Sequence, residues 1–203
     1  NLFRGDRRIG NDEEFSKKVV LVDENEMTAV MMGFPTLKGL SRETPSTYVS
    51  VLLNQTAALH YIDVAQEYGL AGDVCPMPEA ELGVSIDDDA PILGACAVQC
   101  NTTCDGSLMS NGGIAKRLEL EDGIPIFQLA APMRHREDDV QDYAAQEIKN
   151  CIAFIEEKTG EKWDWSYYFE CAKRVNESTR HRMEWLDMNK TDYPQVFGSN
   201  LAL

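Results

Sequence analysis

The sequence predicts an α/β fold, a mainly parallel sheet flanked by helices. Three observations carry that reading. Short apolar, β-branched runs alternate along the chain with stretches of helical period. Turn residues separate them at most junctions. The 203 residues are 43% hydrophobic and 26% charged, which suits a globular domain with a sizeable core and excludes wholesale disorder.

Residues 1–16 are charged, contain glycine and read as an N-terminal arm. Lys18-Val19-Val20-Leu21-Val22-Asp23 predicts a buried strand. Residues 33–46 hold two Gly and two Pro and read as loop. From Ser46 to about Leu70 the period is helical. Val49, Leu52, Leu53, Ala57, His60, Tyr61 and Val64 form its apolar side, and Gly69 and Gly72 stop it. Residues 72–90 read as irregular, with Cys75, Pro76, Pro78 and the run Asp87-Asp88-Asp89. Residues 92–98 predict a second strand, leaving through Gln99-Cys100-Asn101-Thr102-Thr103-Cys104-Asp105-Gly106 into a short helix from about Ser107 to Leu120. Asp122-Gly123 makes a turn, and residues 124–131 predict a third strand closed by Pro132. A long amphipathic helix follows, from Asp138 or Asp139 to about Lys158, with Gly160 as its cap. A last helix runs from Trp165 to about Met188.

Composition narrows the function. With 34 acidic against 19 basic residues the net charge is −15, which argues against binding a nucleic-acid backbone. No apolar run approaches the roughly 20 residues that span a bilayer, so no membrane association is expected. Six cysteines are too sparse for a disulfide scaffold, and a reducing cytoplasm is the expected setting.

The strongest local feature is the junction from Cys100 to Gly106. In open parallel sheets, ligands sit at the carboxyl ends of strands, where helix N-termini converge. A thiolate at Cys104 would gain from the helix dipole and from unpaired backbone N–H groups. Cys75 lies in a loop between Gly-Asp and prolines, so the two could meet over the sheet and offer thiolates to zinc or to an iron–sulfur cluster. There is no CxxC pair, and an incomplete ligand set from this chain is expected. Cys96, Cys151 and Cys171 read as packing, while Cys100 could either ligate or pack. His60 reads as core, His135 as an anion contact or a solvated loop residue, and His181 as solvated. No G-x-S-x-G, P-loop or G-x-G-x-x-G occurs.

Asn101-Thr102-Thr103-Cys104-Asp105-Gly106 resembles the Thr-Thr-Cys-Asp signature of the 2-hydroxyacyl-CoA dehydratase family, which includes the benzoyl-CoA reductase subunits. Cys75 upstream, the strand ending at Pro132, the helix ending Glu157-Lys158-Thr159-Gly160, and Arg174-Val175-Asn176 agree with it, so that the resemblance covers about residues 17–200. The resemblance implies an oxygen-sensitive enzyme subunit of two stacked α/β domains with a 4Fe–4S cluster between them. It implies a homologous second subunit, giving a heterodimer, and an ATP-dependent iron–sulfur activator that injects one electron. The substrate class it implies is a (R)-2-hydroxyacyl-CoA, dehydrated to an enoyl-CoA through a ketyl radical.

Carried over by this resemblance, Cys75 and Cys104 are two cluster ligands, with the third in a downstream domain. Residues 17–190 then form the ligand-bearing α/β domain, and 191–203 lead toward a second domain not present in this chain. A CoA cleft in so acidic a protein must gather basic residues such as Lys116, Arg117, Arg134 or Arg136. Alternatives are a non-catalytic partner subunit, a benzoyl-CoA reductase-type subunit, or an unrelated α/β domain with a thiolate zinc site.

Overall fold

Two short runs that bury both faces, Val19–Val22 and Cys96–Cys100, set the centre of the architecture. A computed structural model describes residues 13–23, 28–42, 55–87, 94–100, 105–132 and 136–194. The chain divides into two units, residues 1–31 with 36–163, and residues 32–35 with 164–203.

The first unit holds a short helix α1 (Glu13–Ser16), strand β1 (Val19–Val22), helix α2 (Thr28–Met31), strand β2 (Lys38–Ser41), helices α3 (Gln55–Tyr68) and α4 (Pro76–Ile86), and strand β3 (Cys96–Cys100). Helix α5 (Asp105–Lys116) runs into a π-helical turn (Arg117–Glu121), before strand β4 (Ile126–Leu129) and helix α6 (Asp138–Thr159). The sheet order is β2-β1-β3-β4, and every pairing is parallel. The α/β fold expected from sequence is the fold observed. All four residues of β1 are buried, as a parallel strand covered on both faces requires.

Strand alternation sorts the two faces. Val19, Leu21 and Ala97 pack with Ala65 of α3, Leu82 of α4, and Ile114 and Leu118 of the α5 segment. Helix α6 packs against β3 and β4, and its Cys151 and Ile155 are fully buried. Gly160 closes α6 in the left-handed region at φ 76°, as its position predicts.

Two expectations are corrected. The region 33–46 contains β2, an edge strand whose Gly39 approaches Met31 of α2. The region 72–90 contains α4, a helix buried along eight consecutive residues from Pro78 to Ser85. Pro76 stands in its first turn, where a missing N–H costs nothing. A Cβ at Gly83 would lie 1.9 Å from the Tyr61 carbonyl oxygen, so α4 reaches α3 only because residue 83 has no side chain. The other boundaries are trimmed: β3 starts at Cys96 rather than near Ile92, and β4 spans four residues. The predicted helix start at residues 46–54 lies outside the described residues.

The second unit centres on helix α7 (Trp165–Asp187), followed by a 3-10 turn (Met188–Lys190). Asp164 caps α7, accepting from the Ser166 and Tyr167 backbone N–H groups at 2.7 and 3.1 Å. The Asp164 N–H donates to the Gly33 carbonyl at 2.8 Å. Trp165, Tyr168 and Phe169 group at its start.

Candidate functional site

The chain leaves β1 for β2 on one side and returns to β3 on the other. The topological switch point therefore lies between the carboxyl ends of β1 and β3, where open α/β sheets bind ligands. Asp23 stands directly after β1, and Cys100 ends β3. Asp23 is only 1% exposed. Its Oδ1 accepts from Arg42 Nη2 at 3.2 Å. Its Oδ2 accepts from Asn111 Nδ2 at 2.8 Å and from the Cys100 backbone N–H at 3.3 Å. Arg42 Nη2 also lies 3.5 Å from Glu81 of α4. The switch point is thus floored by a buried cluster of two carboxylates, one guanidinium and one amide. Beside it, Gln128 Nε2 donates to the buried Gln99 Oε1 at 2.6 Å.

The N-termini of α4 and α5 converge near this floor. Cys75 is the N-cap of α4, exposed, with extended backbone (φ −62°, ψ 132°). A Cβ at Gly106, in the first turn of α5, would lie 3.0 Å from Pro78 Cγ and 3.6 Å from both Cys75 N and Cys75 Cβ. The two helix starts touch there because residue 106 is glycine. Gly106 is two residues beyond Cys104, which itself lies outside the described residues.

A thiolate-held centre needs accessible sulfurs. Cys75 is exposed, in no disulfide, and stands at the N-cap of α4. Cys96 and Cys151 are buried. Burial pushes both thiols up to about 12, so they stay protonated and pack, as expected from sequence. Cys100 is half-buried at the end of β3, with its backbone held by Asp23 and Asn111. Cys171 is half-buried in α7, a free thiol in side-chain hydrogen-bond contact with Tyr167 one turn back. Among the described residues no group of three His, Cys, Asp or Glu side chains is arranged to hold a metal ion.

Other expectations change. His60 is not core: its side chain is 58% exposed, and its Nε2 lies 3.1 Å from Asp87 Oδ2. His181 is exposed on α7 beside Glu184, as expected. His135 and Arg134 lie outside the described residues. Lys116 and Arg117 stand at the C-terminal end of α5, about 18 Å from its start at the 1.5 Å rise of a helix. Arg117 is engaged by Glu121 and Asp122 at 3.0 and 3.1 Å, and Lys116 lies over the Tyr68 ring. Both stand away from the N-terminal end of α5. The Asp23, Arg42, Glu81 and Asn111 cluster is absent from the sequence reading. Its one signal was Asp23 closing an apolar strand, since its members span positions 23 to 111 without a motif.

Residues 27–203 match the family model described as "2-hydroxyglutaryl-CoA dehydratase, D-component". The chain belongs to that family. The (R)-phenyllactyl-CoA dehydratase alpha subunit of Clostridium sporogenes is a relative, 25% identical over 158 residues, which cover 74% of this chain. The chain spans 37% of that relative's length. The family assignment agrees with the resemblance carried by the signature around Cys104. Among the described residues no helix is long and apolar enough to cross a membrane.

Proposed function

We propose that this chain is part of the iron–sulfur subunit of a (R)-2-hydroxyacyl-CoA dehydratase, and that Cys75 and Cys104 supply two thiolate ligands to its 4Fe–4S cluster. The observation that supports this reading is the close approach of Gly106, two residues after Cys104, to Cys75, where a Cβ at Gly106 would lie 3.6 Å from Cys75 N and Cβ. When bound, such a cluster supplies a low-potential electron and a Lewis-acidic iron for a thioester carbonyl.

The chain's own residues do the rest of what can be assigned. The Asp23–Arg42–Asn111 floor borders the end of β3 at Cys100. Arg136 follows β4 on the carboxyl side of the sheet, the side where a CoA phosphate would have to approach, and it is exposed. A homologous second subunit, the remaining ligands and an ATP-dependent iron–sulfur activator complete the proposal from outside this chain.

Anaerobic isolation of the complete dehydratase complex with iron and sulfide assays tests it. The expected result is a 4Fe–4S chromophore that Cys104→Ser or Cys75→Ser strongly diminishes. A spectrum unchanged in both variants overturns the ligand assignment. A complex without iron and sulfide overturns the reading as a whole, and zinc in their place would point to a structural thiolate site.

A further inference from the structure

Cys100 is the last residue of β3, and both of its backbone polar groups are satisfied by side chains. Its N–H donates to Asp23 Oδ2 at 3.3 Å, across 77 positions of sequence. Its carbonyl accepts from Asn111 Nδ2 at 3.1 Å. The same Asn111 nitrogen donates to Asp23 Oδ2 at 2.8 Å, which closes a ring of three contacts around one peptide position. Both neighbours of that nitrogen are acceptors, so the amide orientation follows from chemistry. Arg42 holds the other Asp23 oxygen and balances its charge. Asp23 and Asn111 are 1% and 2% exposed, so the contacts form away from competing water. Asn111 Oδ1 has no hydrogen-bond partner among the described residues, an acceptor left buried at the strand exit. A buried unpaired acceptor costs about 1–3 kcal/mol and calls for an explanation.

We infer that Asp23 and Asn111, with Arg42 as counter-ion, are positioning residues that clamp the end of β3 and so set where the segment 101–104 leaves the sheet. None of the three is proposed to touch substrate. A strand end held only by its ladder frays, whereas one held by a charge-assisted side-chain clamp is fixed. The inference deepens the proposed function and rests on it for the role of Cys104.

Two readouts on the reduced full chain, without added iron, separate the claims. Hydrogen exchange of the peptide spanning Cys100 to Asp105 reads the clamp directly. Asp23→Asn keeps the volume and removes the charge, and it is expected to speed that exchange about tenfold or more while α6 stays protected, as loss of a charged hydrogen bond implies. Bridging of Cys75 to Cys104 by dibromobimane reads the thiol placement. It is expected in the unsubstituted chain and slowed in Asp23→Asn, with single-site maleimide labelling of Cys75 unchanged. Where Asp23→Asn fails to fold, Asn111→Ser, which keeps the Asp23–Arg42 pair, carries the same test. Unchanged exchange in the folded variant overturns the clamp. Absence of bridging in the unsubstituted chain overturns the paired-thiol reading instead, and leaves the exchange result to decide the clamp.

Discussion

Arg42 bridges two buried carboxylates. Its side chain is 10% exposed and stands between Asp23 at 1% and Glu81 at 6%. Removing one partner of a buried ionic cluster leaves a buried charge uncompensated, at a cost of about 3–5 kcal/mol. Arg42→Met is expected to lower stability by about that amount, measured as a shift of the denaturant midpoint; a loss under about 1 kcal/mol would mean that the cluster is not electrostatically closed. The buried thiols give a second expectation. Cys96 and Cys151 keep their protons up to about 12, whereas an unfolded thiol loses its proton near 9.0. Above pH 9 the unfolded state therefore binds fewer protons, and stability falls as pH rises from about 9 toward about 12. Unfolding followed across this window should show that slope, and Cys151→Ala should flatten it. At pH 8 iodoacetamide should modify Cys75 in the native chain and leave Cys96 and Cys151 intact. Rapid native modification of Cys151 would contradict its burial.

At the scale of elements, α4 decides how the site is built. Its N-terminus presents Cys75, and its body brings Glu81 to Arg42. Both depend on the close contact of Gly83 with the Tyr61 carbonyl in α3. Gly83→Ala forces backbone apart from backbone, and a destabilisation of about 3 kcal/mol is expected from overpacking of this kind. Calorimetry measures it, and an unchanged melting temperature would refute the contact. The sequence hid α4 because its residues look like punctuation. Pro76, Pro78 and Gly83 signal turns in isolation, and a helix buried along eight consecutive residues shows no amphipathic period. β2 was hidden for a related reason: a four-residue edge strand with a glycine has too little pattern to register.

At the scale of the whole molecule, charge bears on the proposed encounter with an acyl-CoA. A net charge of −15 repels phosphates, so binding must rely on a local basic feature. Arg136 is the described candidate on the carboxyl side of the sheet, whereas Lys116 and Arg117 stand at the far end of α5. In the complete dehydratase complex, Arg136→Glu is expected to raise the apparent Kd for acyl-CoA about tenfold, the equivalent of 1.4 kcal/mol, with Lys116→Glu close to neutral. Calorimetric titration measures both. Equal effects would place the cleft elsewhere.

The amino-acid sequence by itself determined the α/β class, the helices α6 and α7, the strand β1, the caps at Gly160 and Asp122-Gly123, and membership of the dehydratase family. These follow from local period, turn chemistry and a contiguous signature, all of which are written within a few residues of one another. Only the tertiary structure decided the sheet order, the helical state of α4, the exposure of His60 and the convergence of Asp23, Arg42, Glu81 and Asn111. The physical reason is the same in each case. Burial and ion pairing are properties of residues far apart in the chain, and a parallel sheet, whose neighbours are joined by crossovers, brings such residues together at its carboxyl edge.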